Sequence, residues 1–270
     1  MSVIYSALVP HSPLLLKPIG KDNTKILQAT LDSYKTIIKK IKNKNIETIL
    51  IIGAHGEKYD DYFALNNNLN YKVDMTDFGD LATKLKIEPD LALAQKIQDS
   101  THTKDLIKTY QKEKLDYGSA IPLYIIGSEL KNIKALNIKN SNSDEQANLE
   151  FGKKLKHILK KIDTNIAIIV SGDMSHCLNK KSPQGYNPKG VKFDNQVKEI
   201  LSQNNEIEKK LLNIDNNIIK KAEECSFKPL LIALGIMSDY NYKTKLLSYQ
   251  DDFGIGYLSV DFDNLEPIIK

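Results

Sequence analysis

At 270 residues, with 41% hydrophobic and 27% charged side chains, the chain can bury a full core and is too evenly mixed for a disordered or fibrous polymer. Its net charge of +4 is carried by lysine without a single arginine, which argues against nucleic acid as a partner, because the guanidinium fork is the preferred phosphate and guanine ligand. Apolar runs far short of a membrane span, an N-terminus without the basic region of a signal peptide, and only two cysteines together predict a cytoplasmic protein with no membrane partner.

Residues 2–9 are a predicted strand that runs into Pro10-His11-Ser12-Pro13. Ile26, Leu27, Leu31, Tyr34, Ile37, Ile38 and Ile41 recur at helical spacing and predict a helix from Asn23 or Thr24 to about Lys42. A second strand, residues 47–54, leads into Gly53-Ala54-His55-Gly56. A polar, tyrosine-rich loop over 57–63 is followed by short strands at 63–65 and 71–75. Asp90 is placed to cap a helix over 91–99, and residues 115–123 read as a loop feeding the apolar stretch 123–126.

A strand is expected over 133–138, and Ser143-Asp144-Glu145 starts a helix to about Ile162. Residues 165–170 form the next strand, which ends in Ser171-Gly172-Asp173-Met174-Ser175-His176. The stretch 178–192, rich in Pro, Gly and Asn, reads as a loop and a candidate lid. Helical patterns over 193–202, 215–224 and 226–237 and strands over 244–248 and 256–261 complete the chain. No repeat or domain boundary interrupts it, so one α/β domain over residues 1–270 is expected.

Three of the five histidines, His11, His55 and His176, stand just past the end of an apolar strand; His102 and His157 do not. Open α/β sheets present their chemistry at the carboxyl ends of strands. Two histidines and a carboxylate with open positions form a mononuclear Fe(II) site, and Glu223-Glu224 before the apolar 226–237 helix offers the carboxylate. Each member also has a plainer reading: a strand-end histidine can be a hydrogen-bonded structural residue, and Glu223 or Glu224 would equally suit a helix N-terminus.

The motifs Pro10-His11-Ser12-Pro13, Gly53-Ala54-His55-Gly56, Asp77-Phe78-Gly79, Asp116-Tyr117-Gly118 with Ile121-Pro122-Leu123, Ser171 to His176, and Glu224-Cys225 follow one another along nearly the whole chain. In this order the sequence resembles the class III extradiol ring-cleavage dioxygenases, in the catalytic B-subunit superfamily that also includes the Memo-like proteins. The resemblance implies a single-domain, three-layer α/β/α sandwich with a mostly parallel or mixed central sheet. It implies Fe(II) held by His11, His55 and Glu224, with a catechol- or aminophenol-like aromatic and dioxygen as substrates. His176 would be the acid–base residue, with Tyr117 as a second catalytic group and Asp173 and Ser175 as substrate contacts.

Ring-cleaving members carry histidine where this chain has Tyr117, and a phenol is a poor base at neutral pH. Memo-like relatives use a cysteine near the third ligand position, which here would be Cys225, and a thiolate suits copper or zinc. The alternatives to a dioxygenase are therefore a Memo-like metal-binding protein and a zinc-dependent hydrolase. A homodimer is the commonest assembly for such a domain.

Overall fold

The central strands form because nearly every residue in them is aliphatic and β-branched or leucine, suited to burial on both faces of a sheet. In the computed structural model, residues 2–268 are described. The strands are Val3–Val9 (β1), Thr48–Gly53 (β2), Phe63–Asn66 (β3), Tyr71–Asp74 (β4), Lys84–Pro89 (β5), Ile107–Tyr110 (β6), Lys134–Lys139 (β7), Ile166–Ser171 (β8), Tyr240–Gln250 (β9) and Tyr257–Pro267 (β10). They join one mixed sheet in the order β4-β5-β7-β2-β8-β1-β10-β9, with β3 on β7 and β6 on β3. The centre, from β5 through β7, β2 and β8 to β1, is parallel, and β10 and β9 add antiparallel strands beyond β1.

The helices are Lys17–Gly20 (α1), Asn23–Ile26 (α2), Gln28–Asn43 (α3), Leu91–Asp99 (α4), Tyr117–Gly127 (α5), Glu145–Leu159 (α6), Pro188–Gln203 (α7), Ile207–Leu212 (α8), Asn216–Ala222 (α9) and Phe227–Met237 (α10). The period of two along each strand divides the core into two layers. Ile49 and Ile51 of β2 with Ala167 and Ile169 of β8 pack beside Tyr34 and Ile37 of α3 and Ile121 of α5. Leu50, Ile52, Ile168 and Val170 face the other way, beside Leu155 of α6 and Leu231 of α10. The expected three-layer α/β/α arrangement is what results. Among the described residues no helix is long and apolar enough to cross a membrane.

Several local expectations need correcting. Residues 115–123 are not a loop: α5 starts at Tyr117, capped by the Asp116 carboxylate accepting the Ser119 N–H. Gly118 and Pro122 both lie inside this helix. The stretch 178–192 is shorter as a loop than expected, because Asn187 caps α7 at Pro188. What remains of it is tied down, with Leu178 N–H and Ser182 Oγ both donating to the Gly254 carbonyl and Asn187 N–H to that of Cys177. The strands β5 and β6 and the helix α8 have no counterpart in the sequence-based reading. The first two are short strands with several exposed lysines or polar residues, so their hydrophobic signal is thin.

The His176 loop is fixed by the second half of the chain. Asp194 of α7 accepts the Ser175 N–H at 2.9 Å through Oδ1 and the Tyr249 hydroxyl at 2.7 Å through Oδ2. Met174 N–H donates to the Gly256 carbonyl, and Gly256 N–H donates back to that of Ser175. A Cβ at Gly256 would meet Met174 Cβ at 2.8 Å, so glycine is needed where the hairpin touches the loop. A similar demand joins α6 to α10: a Cβ on Gly235 would run into the Leu149 carbonyl oxygen, and one on Gly152 into that of Ile232.

Two outcomes follow for stability. Gly235→Ala should lower the free energy of unfolding by about 1–3 kcal/mol in urea titration, because overpacking outweighs the better helix propensity of alanine. Burial pushes Asp194 from 3.8 up to about 6, against the opposing hydrogen bonds from Tyr249 and Ser175. The folded chain therefore holds this proton longer than the unfolded one. Its contribution to stability falls as pH rises from 3.8 to about 6 and is level above that. Asp194→Asn should lose this part of the pH dependence, read as a denaturant midpoint that gains on wild type across the same window.

Candidate metal centre

The parallel strands β1, β8 and β2 end level with one another. Val9 pairs with Ser171 and Ser171 with Gly53, and each chain then turns out of the sheet. Two residues further on stand His11, Asp173 and His55. His11 is fully buried and His55 half-buried. Their Nε2 atoms lie 3.0 Å apart, and the Cys225 Sγ is 3.5 Å from His11 Nε2. All three potential ligand atoms fall within 4.8 Å of one another.

The donor set suits a single transition-metal ion. Tetrahedral coordination at ordinary Zn–N and Zn–S bond lengths separates neighbouring ligand atoms by about 3.4–3.6 Å; the His11–Cys225 pair at 3.5 Å fits this, and the two imidazole nitrogens at 3.0 Å would have to spread slightly. Burial holds both imidazoles down at about 3, so they are neutral at physiological pH, the form that binds metal. Burial, reinforced by Asp173, pushes the Cys225 thiol well above its usual value. A metal must therefore displace the thiol proton to recruit this ligand.

Glu224, expected as the third ligand, has one carboxylate oxygen engaged at a helix start. Its Oε2 accepts the N–H groups of Ser226 and Phe227, each at 2.7 Å, at the start of α10. Burial pushes it up to about 7, although those amide bonds favour the charged form. Glu223 takes a left-handed turn at φ 52° that ends α9, and its residue is exposed. Of the three candidates at this junction, Cys225 is the one whose side chain stands with the histidines. Its position is fixed by Asp173: Cys225 N–H donates to the Asp173 carbonyl at 3.1 Å, and Asp173 N–H donates to Sγ at 3.2 Å.

Asp173 holds His11 as well, its Oδ1 accepting the His11 N–H at 3.0 Å and its Oδ2 lying 3.7 Å from Nε2. Burial pushes this carboxyl up to about 6, moderated by His176. Ser175 is used internally, donating to the Ala222 carbonyl and accepting from Cys177 N–H, so its hydroxyl is not free for a substrate. The half-buried His176 ring is close enough to be felt electrostatically at both Asp173 and His11. Its Nδ1 is buried without a hydrogen-bond partner among the described residues. Tyr117 brings its hydroxyl within 3.1 Å of His55 Nε2, and burial raises this phenol, making it a donor and not a base.

Lysine 139 was not anticipated. It ends β7 level with Gly53, is fully buried, and pairs with Asp116 Oδ2 at 2.5 Å and with Ser119 Oγ. Its only sequence signal is its place at the end of an apolar strand, which the abundance of lysine hides. His102 and His157 stack on each other with centroids 4.9 Å apart on an exposed surface and take no part in the centre.

Residues 5–259 match the family model described as the catalytic LigB subunit of aromatic ring-opening dioxygenase. The chain is 30% identical over 260 residues to Protein CA_C1420 of Clostridium acetobutylicum, with 93% of this chain and 55% of that protein covered. It thus spans about half the length of that relative. It is 21% identical over 254 residues to 3,4-dihydroxyphenylacetate 2,3-dioxygenase of Escherichia coli, covering 88% of this chain and 83% of that enzyme. An uncharacterized protein, JW3007, from Escherichia coli K12 shares the fold with a TM-score of 0.65 at 18% identity, over 96% of this chain and 99% of the other. With the strand-end histidines in place and the family model matched from residue 5 to 259, the chain belongs to the family of the catalytic LigB subunit of aromatic ring-opening dioxygenases.

Proposed function

We propose that this protein binds one transition-metal ion through His11, His55 and Cys225 and acts as a Memo-like metal protein on the dioxygenase scaffold. The observation that carries this reading is the convergence of two neutral imidazole nitrogens and a thiol, while Glu224 caps a helix. A thiolate in the ligand set favours copper or zinc over the all-hard donors of an iron site, although iron is also compatible with sulfur ligation. When bound, such an ion would supply Lewis acidity and, for copper or iron, electron transfer to or from dioxygen.

The residues around the centre have separable tasks. Asp173 holds the His11 and Cys225 backbones in place. Tyr117 offers a hydroxyl at the mouth of the site, beside the partly exposed Phe78 whose ring meets it edge-on at 5.7 Å. His176 is the group suited to move a proton to or from a bound molecule.

The second reading is ring opening of a catechol- or aminophenol-like aromatic with Fe(II) and dioxygen. It is favoured by family membership and by His176 standing on the same side of the sheet as the ligands. Oxygen uptake separates the two readings. After anaerobic loading with Fe(II), consumption of dioxygen with catechols, abolished in His176→Ala while the metal stays bound, would establish ring opening. A metal-loaded chain that takes up no oxygen with these substrates supports the Memo-like reading.

The ligand assignment has its own test. About one metal ion per chain is expected by elemental analysis after reconstitution, lost in His11→Ala and Cys225→Ala and kept in Glu224→Gln. Loss in Glu224→Gln with retention in Cys225→Ala would return the carboxylate to the ligand set. Because the thiol proton must leave, the metal affinity of the wild type should climb with pH by about tenfold per unit below the thiol's own range. In Cys225→Ala any residual binding should lack that climb.

A further inference from the structure

We propose that Ser171 is a positioning residue that sets the tautomer of His11 for metal binding, through a Gly118 carbonyl that Pro122 leaves open. This rests on the metal-site reading and adds a device that the ligand list alone does not contain.

The argument is a count of one proton. The Ser171 hydroxyl is hydrogen-bonded to the Gly118 carbonyl, and a carbonyl oxygen can only accept. The hydroxyl therefore spends its single proton there. Toward His11 Nδ1, 2.9 Å away, the same oxygen can then only accept, so Nδ1 carries the ring proton. A neutral imidazole protonated at Nδ1 has a bare lone pair at Nε2. That is the atom facing His55 Nε2 at 3.0 Å and Cys225 Sγ at 3.5 Å.

The carbonyl is open because of where proline sits. In an α-helix the carbonyl of residue 118 would take the N–H of residue 122, and Pro122 has none. The proline inside α5 thus frees an acceptor at the level of the site. The turn that carries it is anchored. Asp116 Oδ1 accepts the Ser119 N–H at 3.1 Å, while its other oxygen pairs with the buried Lys139. Gly118 itself lies against the His55 ring, where a Cβ would stand 2.8 Å from Cδ2. Ser171 is fully buried on β8, between the two strands that carry the histidines.

His55 has a different neighbour, the Tyr117 hydroxyl, which can donate or accept. The one-proton constraint therefore acts on His11 alone. A purely structural Ser171 would tie β8 to α5 with no consequence for the imidazole, so the test must read the ring itself.

The experiment uses the full chain, metal-free, with the ring nitrogens of His11 assigned in long-range 15N NMR by comparison with His11→Ala. Wild type should show a protonated Nδ1 and a bare Nε2. In Ser171→Ala the proton should redistribute between the two nitrogens, and affinity for Zn(II) should fall by about 10–100-fold, the usual effect of losing such an outer partner. Ser171→Thr keeps the hydroxyl and should restore both readouts; urea midpoints check that each variant is folded. A wild-type His11 protonated at Nε2, or a folded Ser171→Ala that binds Zn(II) as tightly as wild type, would overturn the proposal. Failure of the wild type to bind any metal would instead overturn the site reading, while the nitrogen shifts still decide the tautomer.

Discussion

The level register of three parallel strands is the constraint on which the rest depends. β8 lies between β1 and β2 with all six of its residues buried, and close packing of both faces against the helices holds the three strands in register. Val9, Ser171 and Gly53 are thereby held at one height, with Lys139 of β7 beside them. A turn of two residues beyond each of the first three delivers His11, Asp173 and His55 to a common point. The candidate centre is built from the ends of strands whose positions the core has already fixed.

Around that point, helix termini decide which side chains are available. Glu224 lies where the first N–H groups of α10 seek acceptors, and a carboxylate bonded to two amides gains both from the bonds and from the helix dipole. Cys225 makes no such bond to the helix, and its Sγ and N–H are drawn toward Asp173. At α5, Asp116 does for the N-terminus what Glu224 does at α10, and the buried Lys139 keeps it ionised and in place. Two capping carboxylates thus frame a site in which the candidate ligands are neutral groups.

Burial tunes those groups in one direction. Both ligand imidazoles are held far below their usual range and the thiol far above it, so the free chain presents uncharged donors near neutrality. Asp173 is pushed up to about 6 by the same burial, which limits the negative charge beside them. Binding a cation and releasing the thiol proton would therefore change the site's charge much more than its shape. Such a site discriminates by ligand chemistry, with sulfur and imidazole favouring the softer metals.

Much of this was legible in the sequence by itself. Continuous aliphatic runs at residues 165–170 and 47–54 could only be buried strands, and the histidines past their ends marked the side of the sheet where chemistry occurs. The caps Asp90 and Asp144 announced their helices because a short acceptor before an apolar period has few other uses. The order of short motifs carried the family. Tertiary structure alone turned Glu224 to the start of α10 and Cys225 toward the histidines, since adjacent residues differ in which way the chain turns after Glu223 adopts a left-handed φ. It alone made residues 117–123 part of α5 where the sequence reads as a loop, because Asp116 and Lys139 hold a helix start that local propensity disfavours. The buried lysine and the Ser171 contact were invisible for the same physical reason: each depends on which strand lies beside which, and that is set by packing across the sheet.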